Sequence, residues 1–225
     1  MPFVRQLFPD FHHDVPILPE RQTARNSRIP YFFLLNGNED LSTILRRPYN
    51  SFMEIGERSR LETAITRMNA DTLDFALSLT TESTYHNDIA GMVTAALHDR
   101  FGISDALQID IETCLREALI NAVVHGNLSL ETCMKSREDF EAYYTAIEER
   151  IGKALYKIRR VNIAVLDRNQ HLELRVSDEG QGFTFDINAA DILFPHSRGL
   201  FLIHSLADNM WVADDRRTLC MTFRR

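Results

Sequence analysis

Between Ser104 and Gly126 the apolar residues Leu107, Ile111, Leu115, Ala118 and Ala122 recur at helical spacing, which demands one long helix with a single buried stripe. Glu117 and Asn121 flank that stripe one turn apart, at the edge of whatever the helix packs on. The segment reads L-R-E-A-L-I-N-A-V-V-H-G-N from Leu115 to Asn127. Further along, alternation at Leu172, Leu174 and Val176 runs directly into S-D-E-G-Q-G-F, with Asp178 just before Gly180 and Gly182. A third segment, S-R-G-L-F-L-I, follows at Ser197 to Ile203. Their order points to a nucleotide site in which a helix supplies metal and base chemistry and a glycine loop covers phosphates.

The elements around these motifs can be read from spacing. Leu73, Phe75, Leu77 and Leu79 alternate with polar or small residues, predicting a strand with one buried face. Ser83 or Thr84 is placed to cap a helix carrying Ile89, Val93, Ala96 and Leu97, and Phe101-Gly102 ends it. Ser104 then opens the motif helix. The charged stretch at about 129–157 carries Phe140, Tyr144, Ile147 and Ile151 at helical spacing, an amphipathic insertion. Val161, Ile163 and Val165, a D-R-N-Q turn, and Leu172 to Val176 form a hairpin. Gly199 to Asn209 reads as a short helix, and Met210 to Val212 with Thr218 to Phe223 as a last hairpin around D-D-R-R. The expected fold class is α+β: a two-layer sandwich of a mainly antiparallel sheet with helices on one face, spanning residues 71–225.

Residues 1–70 differ in character. Four prolines make the first twenty irregular. A strand at Tyr31 to Leu35, a helix at Glu39 to Arg46, a strand at Ser51 to Ile55 and a helix at Glu57 to Asn69 follow. This run resembles the second half of a response-regulator receiver domain, without the acidic pair and strand-borne aspartate of the phosphoacceptor half. It is read as a small N-terminal α/β appendage for docking or dimerisation, either a truncated receiver-like segment or an unrelated helical extension.

Composition narrows the class. With 44% hydrophobic and 25% charged residues the chain is that of a soluble globular protein. A net charge of −7 gives no reason to expect direct nucleic-acid or membrane binding. There is no run of 18 apolar residues and no signal pattern, and Cys114, Cys133 and Cys220 show no metal spacing, so a cytoplasmic protein is expected. There are three lysines, Lys135, Lys153 and Lys157, against 22 arginines. None sits in a G-x-x-x-x-G-K run, which excludes a P-loop.

Each candidate residue matches a chemical need. Adenine's exocyclic amine is a donor, and Asp178 at a strand end is placed to accept from it. Thr218, at the start of the final strand, could add a hydroxyl to the same base edge. Gly180, Gly182 and Gly199 allow backbone N–H groups to approach phosphate oxygens. Asn121 offers Mg²⁺ an oxygen without adding charge beside a triphosphate. Glu117 is in reach of an attacking hydroxyl as general base, and Arg198 is the cation available for charge developing on the transferred phosphoryl group.

The joint occurrence of E-A-L-I-N-A-V-V-H-G-N, D-E-G-Q-G-F, R-G-L-F-L-I and a terminal T-L-C-M-T-F resembles the GHKL (Bergerat-type) ATPase fold of gyrase, Hsp90, histidine kinases and MutL. Within it, E-A-x-x-N-A-x-x-H-G is most similar to the bacterial anti-sigma-factor serine/threonine kinases. The resemblance implies ATP and Mg²⁺ as cofactors, Glu117 as catalytic base, Asn121 as metal ligand, Asp178 as adenine selector, and Gly180, Gly182 and Gly199 as lid hinges. It further implies a homodimer that phosphorylates a small STAS-type anti-sigma-factor antagonist and releases a sigma factor in partner switching. The alternative is an ATP-holding regulatory module that sequesters a partner without phosphotransfer. The stretch from Thr184 to Ser197 departs from the pattern, being short for a lid, without glycine, and stiffened by Pro195.

Overall fold

The computed structural model describes residues 32–35, 40–47, 49–55, 73–130, 137–183 and 197–225. The helix expected at Glu57 to Asn69, the irregular first twenty residues and the stretch 184–196 lie outside them. Among the described residues seven strands form one sheet: β1 (Phe32–Leu35), β2 (Ser51–Glu54), β3 (Phe75–Thr80), β4 (Arg160–Asp167), β5 (His171–Ser177), β6 (Asn209–Val212) and β7 (Thr218–Arg224). Their order across the sheet is β1-β2-β3-β4-β5-β7-β6. The pairings from β3 to β6 are antiparallel, and β1, β2 and β3 run parallel to one another. The mixed α+β architecture is as expected.

The helices are α1 (Leu41–Ile44), α2 (Thr81–His86), α3 (Ile89–Phe101), α4 (Asp105–Ile120), α5 (Arg137–Ile151), α6 (Ala154–Lys157) and α7 (Ser197–Leu206). The starts of α1 to α4 have a chemical reason. Asp40 caps α1, Thr80 caps α2, Asp88 caps α3 and Ser104 caps α4, each side chain accepting from a backbone N–H in the first turn. The helix carrying Ile89, Val93, Ala96 and Leu97 is thus capped by Asp88 rather than by Ser83 or Thr84, which lie inside the separate short helix α2. Gly102, at φ 64, ends α3 in the left-handed conformation that the Phe101-Gly102 pair predicts.

Two expectations are corrected. Strand β3 is buried on both faces: Phe75, Leu77 and Leu79 join the core, while Ala76 and Ser78 are also fully covered. In α5 only the C-terminal half of the stripe is buried. Ile147 and Ile151 reach the core, whereas Phe140 (49%) and Tyr144 (54%) stay exposed. Helical spacing reports which residues share a face, not how far along the helix its neighbour extends.

The strands of the N-terminal segment continue the sheet, with Phe52 opposite Leu77 and Phe33 opposite Phe52. Leu35, Ile44, Leu45 and Phe52 share the hydrophobic core with α3 and α4. Arg100 of α3 ties the two regions together. Its guanidinium donates to the Leu45 carbonyl at 3.0 and 2.6 Å and to the Arg47 carbonyl, and it lies over the rings of Phe52 and Phe75. Burial lowers its pKa to about 10. No helix among the described residues is long and apolar enough to cross a membrane.

Phe52 is fully buried, with its ring 5.7 Å from that of Phe75. Phe52→Ala is expected to cost about 3–5 kcal/mol. Urea unfolding followed by circular dichroism and by Trp211 fluorescence should show one shifted transition with both probes, because β2 and β3 share one core.

Candidate functional site

The motif helix does not stop where its stripe stops. From Asn121 to Asn127 the backbone widens into a π turn, continuous with α4. Its end is marked by Leu128 N–H donating five residues back to the Val123 carbonyl at 2.8 Å. Glu117 lies in the last turn of α4 and Asn121 is the first residue of the π turn. Ala122, Val123 and Val124 anchor the turn in the core. Glu117 and Asn121 remain partly exposed.

Glu117 meets the start of α7. A Cβ added to Gly199 would lie 2.5 Å from Glu117 Oε2, so this close approach exists only because residue 199 has no side chain. Arg198 stands beside it and is exposed. Among the described residues, Asn121 Nδ2 is the one buried side-chain nitrogen or oxygen without a hydrogen-bond partner. Native structures rarely leave such an atom unpaired unless a ligand, ion or water completes it.

Asp178 follows β5 directly and is 5% exposed. A Cβ on Gly126 would lie 2.4 Å from its carboxyl carbon and 2.5 and 2.6 Å from its oxygens. The π turn and the carboxylate are therefore in face-to-face contact. A Cβ on Gly180 would strike the Gly126 carbonyl oxygen at 2.5 Å, so both glycines are needed for one approach. Gly180 N–H turns back to donate to Asp178 Oδ1 at 2.6 Å. Gly182, at φ 83, packs instead against the turn between β6 and β7, where a Cβ would lie 2.6 Å from the Arg216 carbonyl oxygen. Thr218 pairs with Ser177, next to Asp178, but its hydroxyl donates to Asp215 Oδ2 at 2.7 Å.

The spacing of the motifs does not indicate the part played by Asn127, which is fully buried. Its Nδ2 donates to Thr81 Oγ1 at 2.8 Å and to the Arg160 carbonyl at 3.1 Å, and its Oδ1 accepts from Glu179 N–H at 2.7 Å. Arg159 donates to its carbonyl at 2.6 Å. One side chain thus joins the π turn, the start of α2, the start of β4 and the turn that carries Asp178. Its position right after His125-Gly126 was the available signal, and by spacing alone that signal reads as an ordinary helix end.

Burial raises the Asp178 pKa to about 6, against the lowering effects of the Gly180 N–H and the Arg217 and Arg159 charges. A carboxyl whose folded pKa lies above its unfolded value stabilises the fold at low pH and loses that contribution as pH rises through the folded pKa. Asp178→Asn is therefore expected to stabilise the unliganded protein by about 1–3 kcal/mol at pH 8, and by clearly less at pH 4.5. Urea denaturation of both forms at the two pH values checks the sign, and the same variant should bind adenine nucleotides more weakly.

The model of the histidine kinase-like ATPase domain family matches residues 80–223. Among curated proteins, none matches the chain. The matched region contains Glu117, Asn121, Asp178, Gly199 and the sheet from β4 to β7. The chain belongs to the histidine kinase-like ATPase family, and residues 80–223 form its ATP-binding domain.

Proposed function

We propose that this protein is a Mg-ATP-dependent serine/threonine protein kinase. It acts as an anti-sigma factor in partner switching and phosphorylates a small STAS-type antagonist. The observation that carries the reading is the placement of Glu117 one turn before Asn121, whose buried Nδ2 has no partner, and against Gly199 at the start of α7. The wording E-A-x-x-N-A-x-x-H-G supports a protein hydroxyl as the acceptor.

Bound Mg-ATP would supply the transferable phosphoryl group. The chain's own residues do the rest. Asp178, as carboxylate, accepts from the adenine amine, and the cradle of Gly126 and Gly180 sets its position. Asn121 is the side chain to hold Mg²⁺: its amide nitrogen lacks a partner, and turning the carboxamide over would present its oxygen at the same place. Glu117 takes the proton from the acceptor hydroxyl at Oε2, and exposed Arg198 offers positive charge beside it. A second copy of the chain and a sigma factor complete the proposed assembly.

Mixing the protein with Mg-ATP and a cognate antagonist should give one phosphoserine or phosphothreonine product. Glu117→Ala should reduce transfer by roughly 10²–10⁴-fold while nucleotide binding is kept. Transfer at the wild-type rate by Glu117→Ala would remove the base from this mechanism. A wild-type protein that captures the antagonist without modifying it would instead establish sequestration without phosphotransfer.

A further inference from the structure

Glu54 closes β2 and faces two neighbours at once. Its carboxylate accepts from Thr80 N–H at 2.6 Å through Oε2 and from the Ser83 hydroxyl at 2.6 Å through Oε1, at the start of α2. Its carbonyl accepts from Arg160 Nη2 at 2.9 Å. Both contacts lead to the turn that holds Asp178. On one side, Thr80 precedes Thr81, whose hydroxyl accepts from Asn127, and Asn127 in turn receives Glu179 N–H. On the other, Arg160 N–H donates to Glu179 Oε2 at 3.1 Å, and the Arg160 carbonyl accepts from Asn127.

Arg160 is 1% exposed. Its guanidinium also donates to Ser78 Oγ at 2.7 Å and to the Ser78 carbonyl at 2.8 Å. A buried side chain held at this many points follows its neighbours instead of absorbing their movement. A shift at the end of β2 is thus passed to the start of β4 and to the turn after β5.

We propose that Glu54 is a positioning residue for adenine recognition, so that strand β2 of the N-terminal segment sets the register of Asp178 against the base. The proposal rests on Asp178 as the acceptor of the adenine amine. Guanine carries a carbonyl where adenine carries that amine, so a displaced Asp178 costs discrimination between the bases as well as affinity. Loss of stability by itself would weaken both nucleotides together and leave their ratio unchanged.

The test is equilibrium binding of ADP and GDP to the full chain. Wild type should prefer ADP, and Glu54→Ala should lose roughly 10-fold in ADP affinity with little change for GDP, the effect of one buried hydrogen-bonding partner. Glu54→Gln should restore the preference, because its amide still accepts from Thr80 N–H and can donate to the Ser83 hydroxyl. Asp40→Ala, which uncaps α1 in the same segment, should lower the unfolding midpoint and leave the preference intact. Thr81→Val interrupts the path one step further along with little change of shape, and should narrow the preference even if Glu54→Ala does not fold. The proposal is overturned if the folded Glu54→Ala and Thr81→Val proteins keep the wild-type preference, or if Asp40→Ala narrows it equally. Equal binding of ADP and GDP by wild type would overturn the role of Asp178 itself, and the proposal with it.

Discussion

The Asp178 carboxylate is buried to 5% exposure, and much of the domain is arranged to permit that. Asp178 can sit against the π turn only because neither Gly126 nor Gly180 carries a Cβ. Its negative charge is partly offset by the Gly180 N–H and by the charges of Arg217 and Arg159, yet burial still dominates and lifts its pKa to about 6. Such an arrangement costs stability in the unliganded protein and is tolerated where a ligand supplies the missing donor. The hydrogen bonds that hold the turn in place follow from the same need, since a buried acceptor is useful only if its direction is set.

Asn127 meets that need by joining elements that are far apart in sequence. Its three side-chain hydrogen bonds reach α2, β4 and Glu179, and each of those segments is anchored separately in the sheet or core. The π turn is what brings it there. A regular α-helix continued through Asn121 would rotate Gly126 and Asn127 away from these partners, because each α-helical residue turns further about the axis than a residue of the wider π turn. The local widening and the buried asparagine are one device seen from two ends.

The fold was legible to a large extent from spacing. The stripe from Leu107 to Ala122 and the alternations at Val161 to Val165 and Leu172 to Val176 each became an element close to its expected bounds, because each has one face in a shared core. Pairing was less legible. Nothing in the change of character near residue 70 indicates that β2 lies parallel beside β3, since parallel partners are joined through space and not through a turn. Ser78 illustrates the limit: it reads as a solvent-facing position of its strand, and it is buried because the outer face of β3 is covered too.

The identities that allow chemistry were set by the sequence alone. Glu117 one turn before Asn121, an aspartate directly after a strand, and glycines at 126, 180, 182 and 199 are statements about residue type and local spacing, which periodic backbone geometry converts into shared faces. What those groups touch was decided by tertiary structure. Gly199 meets Glu117, Gly126 meets Asp178, and Glu54 joins α2 to β4. These are contacts between segments brought together by burying one common core, and burial is a property of the whole chain that no local window contains.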